Sequence, residues 1–476
     1  MPNRPPLVFV PGFPASSLEI RADHWKVFPP ALDELLVSAK KKRILAALAG
    51  PDVADADDGV DVRSPIRYSI EVPILDIGKE AQSLYDLLED RFGYDTHRGT
   101  DFRGVGWDWR RPLDLPQTLD RVQAAIDDLH AAHGRKVVLL AHSTGGLLVR
   151  ALIEARPAVA AKLETILALG VPWAGVVKAF RYLAFGQPVG LGPIKLLSAG
   201  DSRRMMRRAH AAFDLLPPDP TRTDLTDSAG RPLALATSNG NPASPLIERG
   251  WLGGDAPAVA RAIAADLRLG ARSRGIAWGP AAPVPILNLV GWGTETDTRA
   301  ELTAKLDGKS PWIERTLEGD GTVARGSAEW LRGAEVTTFY LPVGVYGDQL
   351  ATQKHSQLWR TPPAGAILET VLGSGTRTPH AWASVDSDDA IDRRRRVRVR
   401  LTLAGDDGRP RAQGEARVVV GGQEIPVPLS ANLRGEVSFS RAGLSANVGS
   451  RFHRFVVRFT GQGLAQPVER ALLIEV

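Results

Sequence analysis

The 476-residue chain contains no cysteine. That excludes disulfides, a thiolate nucleophile and any cysteine-based metal site. A fold stapled for secretion is disfavoured, and a reducing or bacterial setting is the expectation. Also missing is any unbroken run of about 18 apolar residues, so no transmembrane segment is expected. The longest contender, Ile166 to Val177, is interrupted by Gly170 and Pro172. The N-terminus passes from Met1-Pro2-Asn3-Arg4 straight into Leu7-Val8-Phe9-Val10, too short a lead for a signal peptide, which points to a cytoplasmic protein. A strong charge imbalance is lacking too. A net charge of +5 over this length argues against a nucleic-acid partner and leaves a slight preference for an anionic lipid surface. What remains is 43% hydrophobic and 24% charged, the balance of a globular protein with room for more than one domain.

Lys136 to Arg150 reads as a buried apolar strand, a tight turn with Ser143 at its tip, and a helix. Ala141-His142-Ser143-Thr144-Gly145 is the pattern of a nucleophile elbow, Gly-x-Ser-x-Gly, with alanine at the first glycine. The bland reading of the same residues is a βα junction with serine as N-cap. Leu7 to Val10 is a second short strand, and it exits through Pro11-Gly12-Phe13-Pro14. In a serine hydrolase, such a loop gives one oxyanion-hole amide and the residue after the nucleophile gives the other. The amides of Phe13 and Thr144 are the expected donors, although an ordinary strand exit would use the same loop.

Downstream, Gly319-Asp320-Gly321-Thr322-Val323 puts an aspartate on a sharp turn, and His355 follows the last core strand. Ser143, Asp320 and His355 thus run in the order nucleophile, acid, base, the order of α/β-hydrolases. Serine needs a base to take its proton, and histidine needs an acid to fix its tautomer. Of the other histidines after Asp320, His380 lies in a linker-like stretch and His453 beyond it. Asp297 is the alternative acid. His142 is read as structural, its side chain pointing away from the turn. Trp107-Asp108-Trp109-Arg110 is read as a packing knot with a buried ion pair.

The strand that begins the Lys136 to Arg150 stretch and strands at Leu7–Val10, 165–169, 284–290 and 336–341, alternating with helices, predict a parallel sheet. Ala31 to Leu48 and Glu80 to Arg91 read as helices and Val72 to Leu75 as an edge strand. Between about 173 and 279 the alternation stops, as expected of a cap or lid. On a helix there, Met206, Ala209 and Phe213 face one way and Arg203, Arg204 and Arg207 the other. That is either a basic face for anionic lipid or an ordinary surface helix. Trp173 and Met206 are the expected substrate contacts. Residues 373–390 read as a linker, and 391–476 as short alternating strands, an immunoglobulin-like β-sandwich. Arg393 to Arg396 reads as a solvated, charge-guarded edge rather than a phosphate site.

Taken together, several stretches resemble the lecithin:cholesterol acyltransferase family and its bacterial relatives. They are Val10-Pro11-Gly12-Phe13, Trp107-Asp108-Trp109-Arg110, Ala141 to Gly146, Gly170-Val171-Pro172-Trp173-Ala174-Gly175 with Lys178, and Gly319 to Val323 ahead of His355. The resemblance implies an α/β-hydrolase of residues 1–372 with a Ser143–Asp320–His355 triad, oxyanion donors at Phe13 and Thr144, and a phospholipid or other acyl ester under a lid. It implies no metal or cofactor. Ala141 departs from the family, the absence of cysteine removes the animal enzymes' lid disulfide, and the C-terminal domain lies outside the likeness. The expected reaction is acyl transfer from an ester lipid to water or an alcohol. The rivals are a soluble carboxylesterase without a lipid interface, and a non-catalytic module docking a partner through its β domain.

Overall fold

The computed structural model describes residues 4–66 (except 52 and 54), 84–217 (except 192–193), 224–233 (except 228 and 232), 251–252, 284–342 (except 293, 303–311, 317–318, 332 and 334) and 355–373, and seven strands beyond residue 381. The expected strand Val72–Leu75 lies outside these residues.

The centre is a six-stranded sheet of β1 (Leu7–Val10), β2 (Phe102–Gly104), β3 (Val137–His142), β4 (Leu163–Leu169), β5 (Ile286–Trp292) and β6 (Val336–Pro342). Its spatial order is β6-β5-β4-β3-β1-β2, and all five pairings are parallel. Every residue of β1 and β3 is buried, which is why these strands read as continuous apolar runs rather than alternating ones. Strand β2 escaped the sequence reading because three residues with a central arginine carry no such signal. The expectation of a parallel α/β architecture holds.

Helix α1 (Leu32–Leu36) and helix α2 (Ser38–Leu48) replace the single helix expected over 31–48. Val37 between them is extended (φ −91°, ψ 112°), which leaves Leu36 and Val37 exposed. Helix α3 (Pro116–His133) starts with proline in its first turn and stops at Gly134, whose φ of 60° suits glycine. Leu119, Val122, Ile126 and Leu129 form its buried stripe. Helix α4 (Thr144–Ala155) follows β3 and is buried from Thr144 to Ile153. The expected helix 80–91 is described from Leu84, and Leu87–Arg91 is wound as a π-helix.

In the stretch expected to be a cap, the described parts are helix α5 (Val177–Ala184), a hairpin of Val189–Leu191 and Ile194–Leu197, helix α6 (Ala199–Arg208), the turn of helix His210–Phe213, and strand Leu225–Asp227. That strand joins Thr296–Leu302 and Trp312–Thr316 in a small sheet. No helix among the described residues is long and apolar enough to cross a membrane. Beyond residue 381, seven strands form a three-stranded and a four-stranded antiparallel sheet. One of them, Trp382–Ser387, falls inside the stretch expected to be a linker. Its Trp382, Ala383 and Val385 were outweighed by the Gly, Ser and Pro around them.

Asp108 and Arg110 form the buried ion pair the sequence suggests. Arg110 Nε and Nη2 donate to the Asp108 carboxylate at 2.8 and 2.6 Å, while Nη1 reaches Asp58 at 2.6 Å and the Ala47 carbonyl at 2.7 Å. Burial by itself would raise the Asp108 carboxyl, but the Arg110 hydrogen bonds and the charges of Arg110 and Arg111 outweigh it and hold it below the usual range. On either side, Trp107 Nε1 donates to the Pro11 carbonyl at 2.9 Å and Trp109 Nε1 to the Ser16 carbonyl at 3.2 Å. The knot therefore holds the loop after β1 from both ends. Removing Arg110 leaves a buried carboxylate without its main partner. Arg110→Ala is expected to lose about 3–5 kcal/mol of stability in urea unfolding, and Arg110→Lys to recover little because an ammonium lacks the fork. A loss below about 1 kcal/mol would contradict this account of the knot.

Candidate active site

Strand β3 delivers Ser143 to its C-terminal end, the edge where parallel α/β sheets place ligands. The backbone of Ser143 has φ 53° and ψ −129°, a left-handed setting rare for a residue with a side chain. Its side chain makes no capping bond to helix α4, so the N-cap reading does not hold. The turn is tight because two backbones pass close by. A Cβ on Gly12 would lie 2.8 Å from Ser143 Cβ, and one on Gly145 would lie 2.4 Å from the Val10 carbonyl oxygen. Ala141 is fully buried and pairs in register with Val10 and Ala168, where its methyl fits. Thr144 opens helix α4, so its amide has no partner within the helix. Phe13 follows Gly12 on the facing loop, its ring edge-on to Trp109 at 5.4 Å.

His355 Nδ1 lies 2.7 Å from Asp320 Oδ2, and the His355 amide donates to the Asp320 carbonyl at 2.7 Å. The other carboxylate oxygen accepts from the amides of Thr322 and Val323 at 3.0 and 2.8 Å. The carboxylate is thus fixed by its own Gly321 turn before it meets the imidazole. His355 Nε2 is buried and has no hydrogen-bond partner among the described residues. Ser143, Thr144, Gly12, Phe13 and His355 all line one pocket of about 290 Å³. Its far wall is apolar and comes from helices α5 and α6 and the segment after them, including Val176, Ala179, Met205, Met206 and Leu215. Lys178 of α5 ties that wall to the acid turn, with Nζ 3.1 Å from Thr322 Oγ1 and 3.4 Å from the Gly321 carbonyl. Among the described residues no group of three or more His, Asp or Glu side chains is placed to hold a metal ion.

The structure brings together Ser143, Asp320, His355, Phe13, Thr144 and Met206, but not Trp173. The Trp173 indole is buried behind the pocket and donates to Asn288 Oδ1 at 3.0 Å, so a buried amide rather than a ligand takes its polar end. Asp297 is likewise engaged elsewhere, by Arg181 at 2.6 Å and Arg315 at 2.9 Å. The arginines of α6 do not form one free basic face. Arg204 is exposed and paired with Asp201, whereas Arg207 turns inward to the carbonyls of Leu183 and Trp251.

His142 does not point away. Its Nε2 lies 3.0 Å from the His355 carbonyl, and its ring lies 4.9 Å from the His355 ring and 5.4 Å from Trp359. Nothing in the local sequence signals a partner 213 positions away. Burial, and then the charge of His355, push the His142 imidazole down to about 3, so it stays neutral and donates to that carbonyl.

Residues 50–235 match the lecithin:cholesterol acyltransferase family. The rat lysosomal phospholipase A and acyltransferase (Rattus norvegicus) is 29% identical over 243 residues, covering 45% of this chain and 57% of the rat protein. The chicken phosphatidylcholine-sterol acyltransferase (Gallus gallus) is 26% identical over 228 residues, covering 43% and 54%. The chain thus spans little more than half the length of the relatives it matches. A chain of the crystallised Tle4–Tli4 complex covers 75% of this chain at 15% identity and a TM-score of 0.45. The similarity to the lecithin:cholesterol acyltransferase family over 50–235 agrees with the resemblance in the motifs. That stretch includes Ser143 and the Asp108 knot but neither Asp320 nor His355, whose placement rests on geometry alone.

The neutrality of His142 carries a pH signature. Its folded value is depressed below the unfolded value of 6.5, so the unfolded chain binds the proton first and stability falls as pH drops from about 6.5 toward 3. Between pH 7 and 4.5 this group is expected to contribute roughly 2–3 kcal/mol of the acid loss. His142→Asn should flatten the fall in urea midpoint over that range relative to wild type. Parallel pH curves for the two proteins would remove this role from His142.

Proposed function

We propose that the protein is a serine ester hydrolase or O-acyltransferase of the α/β-hydrolase type, acting on ester lipids through an acyl-enzyme on Ser143. The observation that carries this reading is the His355–Asp320 pair opening into the same apolar pocket as the strained Ser143 turn. His355 Nε2 takes the Ser143 proton as Oγ attacks the ester carbonyl. Asp320 holds the Nδ1–H tautomer and stabilises the imidazolium. The amides of Phe13 and Thr144 receive the oxyanion, each worth about 2.7–4 kcal/mol in comparable sites. The tetrahedral intermediate collapses, and the leaving alkoxide takes the proton from His355. Water or an alcohol then repeats the sequence in reverse and releases the acyl group. The long Ser–His contact of a resting site normally tightens with substrate.

Apolar lining from α5 and α6 favours an acyl chain over a polar ester, and the lysosomal phospholipase A and acyltransferase similarity points the same way. We read residues 173–279 as the cap over that chain, and the two antiparallel sheets after residue 381 as an immunoglobulin-like sandwich appended to the catalytic domain of residues 1–372. A fluorophosphonate probe should label wild type and leave Ser143→Ala unlabelled. Ester turnover should fall at least 10⁴-fold in Ser143→Ala and about 10⁴-fold in Asp320→Asn, in kcat more than KM. An unlabelled wild-type protein, or a fully active Ser143→Ala, would remove the assignment.

A further inference from the structure

Helices α2 and α6 are fastened to each other near both ends. Near their starts, the Asp201 carboxylate takes Lys41 Nζ at 3.3 Å and Arg204 Nη2 at 2.7 Å. The same aspartate fixes the start of α6, its amide donating to Ser198 Oγ at 3.0 Å and its carboxylate accepting from the Ser198 amide at 3.1 Å. Near their far ends the backbones meet. A Cβ on Gly50, just past α2, would lie 2.9 Å from the carbonyl oxygens of both Arg110 and Arg208. Between these fastenings the helices do not close, and a groove of about 500 Å³ remains. Leu45, Ala46 and Ala49 line it on the α2 side and Met205 on the α6 side. Each alanine contributes only a methyl group, which leaves the middle unfilled.

The charges beside the groove are engaged. Lys41 and Arg204 share Asp201, so what they offer the groove is their carbon stems. Among the described residues, Met205 is the one that lines both this groove and the pocket that contains Ser143, whereas its neighbour Met206 lines the Ser143 pocket alone. Met205 is buried, and methionine is an unbranched side chain with three torsions, able to change shape while its helix stays in place. At about 290 Å³ the Ser143 pocket sits at the small end of ligand sites, which run from roughly 300 to 1,000 Å³. Pocket and groove joined fall well inside that range.

We propose that the groove between α2 and α6 receives the far end of a long acyl chain held on Ser143, and that Met205 is the gate that sets the chain length. The inference rests on the acyl-enzyme proposed above and narrows its substrates to long-chain acyl esters. With the thioether between the two spaces, a short acyl group finds a closed pocket. A longer chain displaces it, then passes Leu45, the alanine methyls and the stems of Lys41 and Arg204, and so meets carbon along its path.

The test compares p-nitrophenyl palmitate with p-nitrophenyl butyrate, both in detergent micelles with the full-length protein, and reads the palmitate-to-butyrate ratio of kcat/KM. Ala46 lines the groove and not the Ser143 pocket. Ala46→Trp fills the groove and is expected to lower the ratio about 10-fold, since each methylene kept out of apolar contact costs roughly 4-fold. Met205→Ala, on the other helix, widens the passage and is expected to raise the ratio about 3-fold. A ratio cancels any general loss of active enzyme, so a loosened helix does not imitate either effect. A ratio unmoved by Ala46→Trp, in protein that still turns over butyrate, overturns the gate and leaves the acyl-enzyme standing. Where Ala46→Trp does not fold, Met205→Ala decides by the same criterion. Wild-type protein that turns over neither ester and takes no fluorophosphonate label removes the proposed function, and the gate with it.

Discussion

The site depends on the near-contact of two backbones, the loop after β1 and the turn after β3. Gly12 and Ser143 approach until no Cβ fits between them, and Gly145 approaches the Val10 carbonyl in the same way. This crossing sets the strained backbone of Ser143 and brings the start of helix α4 and the facing loop to one pocket. Strain of this kind costs on the order of 1–3 kcal/mol and persists only where the surroundings enforce it. The enforcement is visible nearby. Strands β1 and β3 are paired in register up to Val10 and Ala141, and the Trp107 and Trp109 indoles grip the loop beyond. The Asp108–Arg110 pair is far from the chemistry in sequence terms, yet its packing bears on the loop that carries Phe13.

The acid and the histidine are held by a different device. Asp320 is satisfied first by its own turn and only then by His355, and the His355 backbone is bonded both to the Asp320 carbonyl and to His142. The imidazole is therefore located by main-chain bonds as well as by its Nδ1 contact. Helix α5 reaches the same turn through Lys178, so the apolar wall and the Asp320–His355 pair share an anchor.

Much of this was legible in the sequence, and for stated reasons. Buried parallel strands announce themselves as unbroken apolar runs, as β3 and β4 do. The elbow announces itself because only small residues tolerate the crossing. Asp320 stands out between two glycines. Pairings between distant residues are not legible: His142 looks like a spacer until β3 and the His355 loop are brought side by side, and Trp173 looks like a ligand contact until Asn288 is found behind it. Short elements fail for another reason. Phe102–Gly104 exists because β1 offers it an edge, not because its residues favour a strand. The break at Val37 involves neither proline nor glycine, so local punctuation could not reveal it.

The adjacent rings of His142 and His355 have a consequence for proton transfer. Of two imidazoles 4.9 Å apart, the one on His142 is held neutral by its burial and by the charge of its neighbour. His142 can neither lend a proton to His355 nor store one for it. In the mechanism proposed above, the proton His355 takes from Ser143 leaves with the alkoxide, and the incoming water or alcohol supplies the next. The His142 ring serves as an uncharged wall beside the His355 imidazole.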